Sequence, residues 1–222
     1  MTRLWLWAAI AVLVLGAIVG VASVSGGGAK NTSGVHPPKP GTYRYTGLGE
    51  LTIRVEADGS GAGITHQIIS IPAANGLVLR NHTDWSSTGA RFTRTELALG
   101  RGDVASPDCQ WRPATLEYAF PLATGKAWKM DSSCTASAFG QTFKIHRVEE
   151  SHVTIANRVE VGGKRVDTWI IERSTTFEFT STEGGTVADT SRTTEEFAPS
   201  IGLFVHRHID GGPSAGDLTL VS

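Results

Sequence analysis

Two cysteines, Cys109 and Cys134, are all this 222-residue chain contains, too few for a disulfide-dense miniature scaffold or an all-thiolate zinc site. An excess of one charge is missing too. There are 20 Lys+Arg and 21 Asp+Glu; setting Arg3 and Lys30 aside leaves 18 basic residues against 21 acidic ones, a balance of about −3. Such a surface has no field to attract a polyanion, and no zinc-finger spacing is present, so nucleic acid is not an expected partner. Recognised reaction machinery is likewise absent: no strand-to-helix serine elbow, no His-Glu-x-x-His, no Ser-x-x-Lys, and no glycine-rich loop ending in Gly-Lys-Ser/Thr. The 26 glycines show no Gly-x-y period; they fall at turns between β-rich runs, which excludes a collagen-like chain and favours many short strands.

One long apolar run is present. Leu4 to Val24 carries no formal charge, and at about 1.5 Å per residue a helix of that length crosses a hydrocarbon core about 30 Å thick. Arg3 and the terminal amine favour the cytoplasmic side, Trp5 and Trp7 suit the interface, and the remainder is placed outside. Gly20-Val21-Ala22 offers the alternative of cleavage as a secretory signal. No cysteine follows closely, so there is no lipobox. The expected organisation is a cytoplasmic stub over 1–3, a transmembrane anchor or signal segment over 4–24, a Gly/Pro-rich spacer over 25–41 and an extracytoplasmic β domain over 42–222. The spacer combines Gly26-Gly27-Gly28 with Pro37-Pro38 and Pro40, a flexible piece followed by a stiffer one; His36 within it reads as incidental.

Beyond the anchor the dominant period is two. It is strongest from Thr142 to Pro199, where Val153, Ile155, Val159 and Val161 lie on one parity before Gly162-Gly163 and the apolar pattern resumes at Val166, Trp169, Ile170 and Ile171. That pattern reads as a hairpin. Thr175 to Thr182 and Thr186 to Phe197 continue it as a meander around Glu183-Gly184-Gly185. Earlier, Leu51, Ile53 and Val55 alternate with polar residues, as do Leu116, Tyr118 and Phe120. Gly100 to Pro113 lacks a period and reads as a long loop, Ile201-Gly202-Leu203-Phe204-Val205 reads as a last strand, and Leu218 to Val221 reads as a terminal edge strand. A short helix within 70–76 or 114–121 is the alternative there. The expected fold class is all-β or β-dominated, one curved antiparallel sheet or half-barrel meander preceded by a single transmembrane helix.

Cys109 and Cys134 are expected to pair in an oxidising compartment, fastening the Gly100 loop to the following hairpin; two unconnected thiols are the alternative. Trp111 and Trp128 are candidates to shield that bridge or to line a binding surface. Phe120-Pro121-Leu122-Ala123-Thr124-Gly125-Lys126-Ala127-Trp128 and Phe197-Ala198-Pro199-Ser200-Ile201-Gly202-Leu203-Phe204-Val205-His206-Arg207 resemble stretches of uncharacterised actinobacterial cell-envelope proteins with a curved antiparallel sheet, distantly like lipoprotein carriers. The resemblance implies an envelope β domain with a concave hydrophobic face, and it carries over no catalytic residues.

His206 and His208 share one strand face and are candidate binding residues; a metal would need a third ligand from His82, His146 or His152, against a reading as a solvent-facing pair. No metal site, cofactor or catalytic residue is assigned. Glu149-Glu150 and Glu195-Glu196 are poor paired carboxylates, because neighbours on a strand face opposite ways. The function class that follows is a membrane-anchored envelope binding or assembly module at the cell membrane. Its expected ligand is a lipid or other apolar molecule on a concave face, or an envelope protein through strand addition. A membrane-attached hydrolase of an envelope component is the alternative.

Overall fold

The computed structural model describes residues 35–47, 51–57, 64–71, 77–98, 108–138, 141–182, 184–211 and 215–221. The apolar segment Leu4–Val24 and most of the spacer lie outside the described residues. Twelve strands follow in chain order: β1 (Gly41–Gly47), β2 (Leu51–Ala57), β3 (Ile64–Ile71), β4 (Leu77–Ser86), β5 (Gly89–Ala98), β6 (Asp108–Ala119), β7 (Ala127–Ala138), β8 (Gln141–Val161), β9 (Lys164–Ser181), β10 (Thr186–Ala198), β11 (Leu203–Asp210) and β12 (Gly216–Leu220). Each pairs antiparallel with the next in sequence, giving the β-dominated single sheet that alternation predicted.

The sheet curves until its first and last strands meet. β1 pairs with β2 on one side and with β12 on the other, so the circuit of pairing returns to its start. Gly47, opposite Leu218, permits the approach: a Cβ there would lie 1.7 Å from the carbonyl oxygen of Asp217. The expected terminal edge strand is therefore no edge, since β12 has a partner on each side. The thinnest place is β6–β7, where Arg112 opposite Ser133 is the one pair in register. Pro113 contributes no N–H to that ladder.

The meander is longer-stranded than its sequence suggests. β8 runs unbroken for 21 residues and β9 for 18, so the runs through Val166 to Ile171 and Thr175 to Thr182 are one strand. A register shift between Val153 and Ile155 reverses which parity faces inward, so the single face expected of Val153, Ile155, Val159 and Val161 is corrected: Val153 is buried while Ile155 is exposed. Gly162 and Gly163, at φ 55° and 75°, form the two-residue turn between them. The alternative helix over 114–121 is corrected as well: these residues begin in β6. So is the loop expected over Gly100–Pro113, because Asp108 onward is strand and places Cys109 on β6.

Three apolar clusters fill the described interior. Tyr45, Ile53, Phe204, Ile209 and Leu220 lie where the circuit closes. Tyr118, Phe120, Trp169, Ile171 and Phe197 form a second group, with Tyr118 and Phe197 stacked at 4.1 Å between ring centroids. The third holds Phe143, Ile145, Phe177 and Phe179 around the disulfide between Cys109 and Cys134. That bridge joins β6 to β7 across the thin seam, rather than tying a loop to a hairpin.

Candidate functional site

Alternation along β8, β9 and β10 sends inward residues that are not apolar. Glu149 and Arg147 face in from β8, Arg173 from β9, Glu195 from β10 and Arg207 from β11, with Glu117 entering from β6. Because the strands step in register, the side chains from β8 to β11 form a diagonal chain of alternating charge across four neighbouring strands, flanked by Glu117 of β6. Arg147 Nη2 donates to Glu149 Oε2 at 2.6 Å; Arg173 Nη1 donates to Glu149 Oε1 at 2.8 Å, and its Nη2 to Glu195 Oε1 at 3.4 Å. Arg207 Nε donates to Glu195 Oε2 at 2.7 Å. Glu117 lies 3.4 Å from Arg147 and 3.9 Å from Arg173. Three guanidinium groups thus balance three carboxylates.

Neutral donors complete the shell. Ser151 and Thr175 donate to Glu149, Tyr118 donates to Glu195 at 2.5 Å, and Arg173 also reaches the backbone carbonyl of Glu117 at 2.9 Å. The guanidinium carbon of Arg173 lies over the rings of Tyr118 and Trp128, 5.0 and 5.7 Å from their centroids. Burial pushes the Glu149 carboxyl up, but Arg147 and Arg173 outweigh it and hold the group at about 2. Glu195 is likewise kept below the usual carboxylate range, burial being outweighed by Arg207 and Arg173. Burial, reinforced by Glu195, pushes the Tyr118 phenol well up, so it remains a donor. These charges are removed from solvent and engaged with one another, which suits them to fixing register and not to turning over a substrate.

The outer face of the same strands is different. A groove of about 440 Å³ crosses β8 to β11. In one row Glu150 faces Ser174, Ser174 faces Arg192, and Arg192 faces Asp210; in the next, His152 faces Glu172, Glu172 faces Thr194, and Thr194 faces His208. Glu150 is engaged by Lys129 at 2.9 Å. No side-chain hydrogen bond or ion pair ties His152, Glu172, Ser174, Arg192 or Asp210 to another described residue.

The residues singled out from sequence are dispersed. His206 and His208 do share a face, half-buried, and both point towards Asp217, at 3.8 and 3.5 Å. His82 is bound to Glu96, and His146 is held between Asp131 and Glu178; no group of three His, Cys, Asp or Glu poised for a metal occurs among the described residues. Trp111 packs beside the disulfide and donates from Nε1 to Thr95 at 3.0 Å, whereas Trp128 belongs to the aromatic cluster around Tyr118. Gly212-Pro213-Ser214-Ala215-Gly216 spells Gly-x-Ser-x-Gly, but it connects β11 to β12 without the following helix that a serine elbow requires.

Sequence reasoning missed the ionic chain. The signal lay in the two acidic doublets set aside as poor pairs: Glu149 and Glu195 face in while Glu150 and Glu196 do not, and each inward member sits at the parity of buried apolar neighbours.

No protein-family model matches this sequence, and none of the curated proteins matches it. Among solved structures, the chain is similar to one from Escherichia coli described as the hypothetical lipoprotein YmcC, with 10% identity, 85% of this chain and 89% of that chain covered, and a TM-score of 0.44. It is also similar to a Bacteroides fragilis protein described as exported, with a YmcC-like fold, at 9% identity, covering 85% of this chain and 98% of that one, with a TM-score of 0.32. The similarity to YmcC-like lipoprotein and exported-protein folds is distant and structural.

Proposed function

We propose that this chain is a non-catalytic binding or assembly module of the cell envelope, held at the membrane by Leu4–Val24, and that it receives a polar protein partner in the groove on the outer face of β8–β11. The observation that carries this reading is the contrast between the two faces of one sheet. Inside, three arginines and three glutamates are engaged with one another; outside, His152, Glu172, Ser174, Arg192 and Asp210 are uncommitted around a groove of about 440 Å³. Uncommitted polar groups converging on a concavity are what fix and orient a bound polar chain. The apolar run at the N-terminus and the disulfide joining Cys109 to Cys134 both suit an exported domain.

An apolar ligand inside the sheet has less support. Among the described residues, the cavity beside Tyr118 and Phe204 measures about 40 Å³, too small for an acyl chain. For the hydrolase alternative, Ser174 and His152 stand on neighbouring strands in the groove, but no hydrogen bond joins them.

The test places a photo-crosslinking side chain at Thr194 of the full-length protein in its native membrane. A discrete adduct with an envelope protein is expected, lost in an Arg192→Glu, Glu172→Lys variant whose circular dichroism and thermal unfolding match wild type. Unchanged adducts in that variant, stoichiometric lipid released from the purified protein, or labelling of Ser174 by a serine-reactive fluorophosphonate would each overturn the reading.

A further inference from the structure

β8 and β9 outrun their neighbours. On one side β7 begins at Ala127, opposite His152, and the pairing ends one residue later: the Val153 N–H donates to the carbonyl of Lys126, and its own carbonyl accepts from the Gly125 N–H. On the other side β10 leaves β9 at Trp169, opposite Phe197. From Thr154 to Thr168 the two backbones therefore pair only with each other among the described residues, closed by the Gly162-Gly163 turn. Val159, Val161 and Val166 lay one face of this arm against the cluster that holds Tyr45 and Phe204. The β8 rim of the arm, 154–161, has no strand beside it among the described residues. Such a rim carries a row of backbone donors and acceptors that another strand can complete.

We propose that this rim joins a second copy of the chain, the two β8 strands running antiparallel about a two-fold axis at Val159. Charge on the outer face of the arm chooses both the occupant and the register. Arg158 and Glu160 are exposed and flank Val159, so the axis sets Arg158 of each copy opposite Glu160 of the other. Within each arm Arg158 faces Asp167, and Glu160 faces Arg165. The row across the joined arms is then Asp167 and Arg158 from one copy followed by Glu160 and Arg165 from the other, alternating in sign at every step, and symmetry supplies that row twice. Arg158 Nε donates to Asp167 Oδ1 at 2.6 Å, and its planar guanidinium keeps further N–H donors for the second carboxylate. Moving the axis one residue, to Arg158 or to Glu160, sets like charges face to face, which cross-strand pairing penalises. A contact of this kind uses the same patch on both copies, so it closes as a dimer and does not grow into a fibre. It is a second surface, beyond the groove, whose β8 residues are Glu150 and His152.

Light-scattering mass of the full-length protein in detergent, with non-reducing gels of a Val159→Cys variant after mild oxidation, tests the proposal. A dimer is expected, and a disulfide-linked pair through the introduced cysteine, since Cys109 and Cys134 are already joined to each other. Arg158→Glu or Glu160→Arg alone creates two like-charge contacts at the axis and should weaken dimerisation roughly tenfold or more; an equimolar mixture of the two variants, which restores opposite charges, should recover it. Should either reversal not fold, the cross-link decides, with Val187→Cys, an exposed position on β10, as the control. Wild type that stays monomeric up to roughly 1 mM, reversals without effect, a mixture that does not recover the dimer, or linkage through Val187→Cys as strong as through Val159→Cys would overturn it. So would cross-linking of Val159→Cys in native membranes to a different protein and not to its own copy.

Discussion

Arg173 on β9 donates to Glu149 on β8 at 2.8 Å with both side chains out of solvent, at 3% and 1% exposure, and this pair is the midpoint of the charged chain through the interior. Removing one member leaves the other charged and buried, and that is where the cost lies. Arg173→Met is expected to destabilise the fold by roughly 3–5 kcal/mol, because it leaves three buried carboxylates against two guanidinium groups, with Arg147 alone on Glu149 and Arg207 alone on Glu195. Urea unfolding followed by tryptophan fluorescence measures it; a loss below about 1 kcal/mol, typical of an exposed pair, would contradict the buried arrangement.

Glu149 and Glu195 also set the response to acid. Both carboxyls titrate below their unfolded values, Glu149 at about 2 against an ordinary 4.5. A depressed pKa contributes stability that is fully present above the unfolded value and is lost as pH falls through the folded one. Unfolding free energy is therefore expected to decline from about pH 4.5 towards pH 2, with a gentler decline in Glu149→Gln measured against its own neutral-pH value.

His146 works in the opposite direction. Its hydrogen bonds to Asp131 at 2.9 Å and Glu178 at 3.2 Å raise its pKa above 6.5. A raised pKa stabilises fully below the unfolded value and ceases to do so as pH rises through the folded value. Asp131→Asn should move the His146 titration towards lower pH in imidazole NMR spectra, while leaving the sheet intact because the site is at the surface.

Cys109 and Cys134 join the two strands that share one registered pair, with Ser132 donating to the carbonyl of Pro113 across the same seam. Replacing both cysteines by serine is expected to cost roughly 2–4 kcal/mol. Amide exchange should accelerate first in β6 and β7; acceleration spread evenly over the twelve strands would show that the bridge does not guard that seam.

Gly202 accommodates the chain that enters the sheet. At φ 70° its missing Cβ leaves room for His36 and Pro38, which a side chain would approach to 2.5–2.6 Å, and His36 N donates to the carbonyl of Pro199 at 3.2 Å. Gly202→Ala should cost about 1–3 kcal/mol, and it should release the His36 amide to solvent, seen as faster hydrogen exchange at that residue.

Much of this architecture was legible in the chain itself. Period-two alternation named the β-dominated class, Gly162-Gly163 marked the β8–β9 turn, and two cysteines in an export-compatible chain announced one bridge; each is local in sequence or follows from composition. Closure of the circuit was not legible, because it depends on Gly47 meeting β12 across the length of the domain. Nor was the identity of the partners of Glu149 and Glu195. A strand pattern tells which parity faces inward, but whether an inward carboxylate is stranded or balanced depends on the arginines that distant strands bring within about 3 Å, and only register in three dimensions decides that.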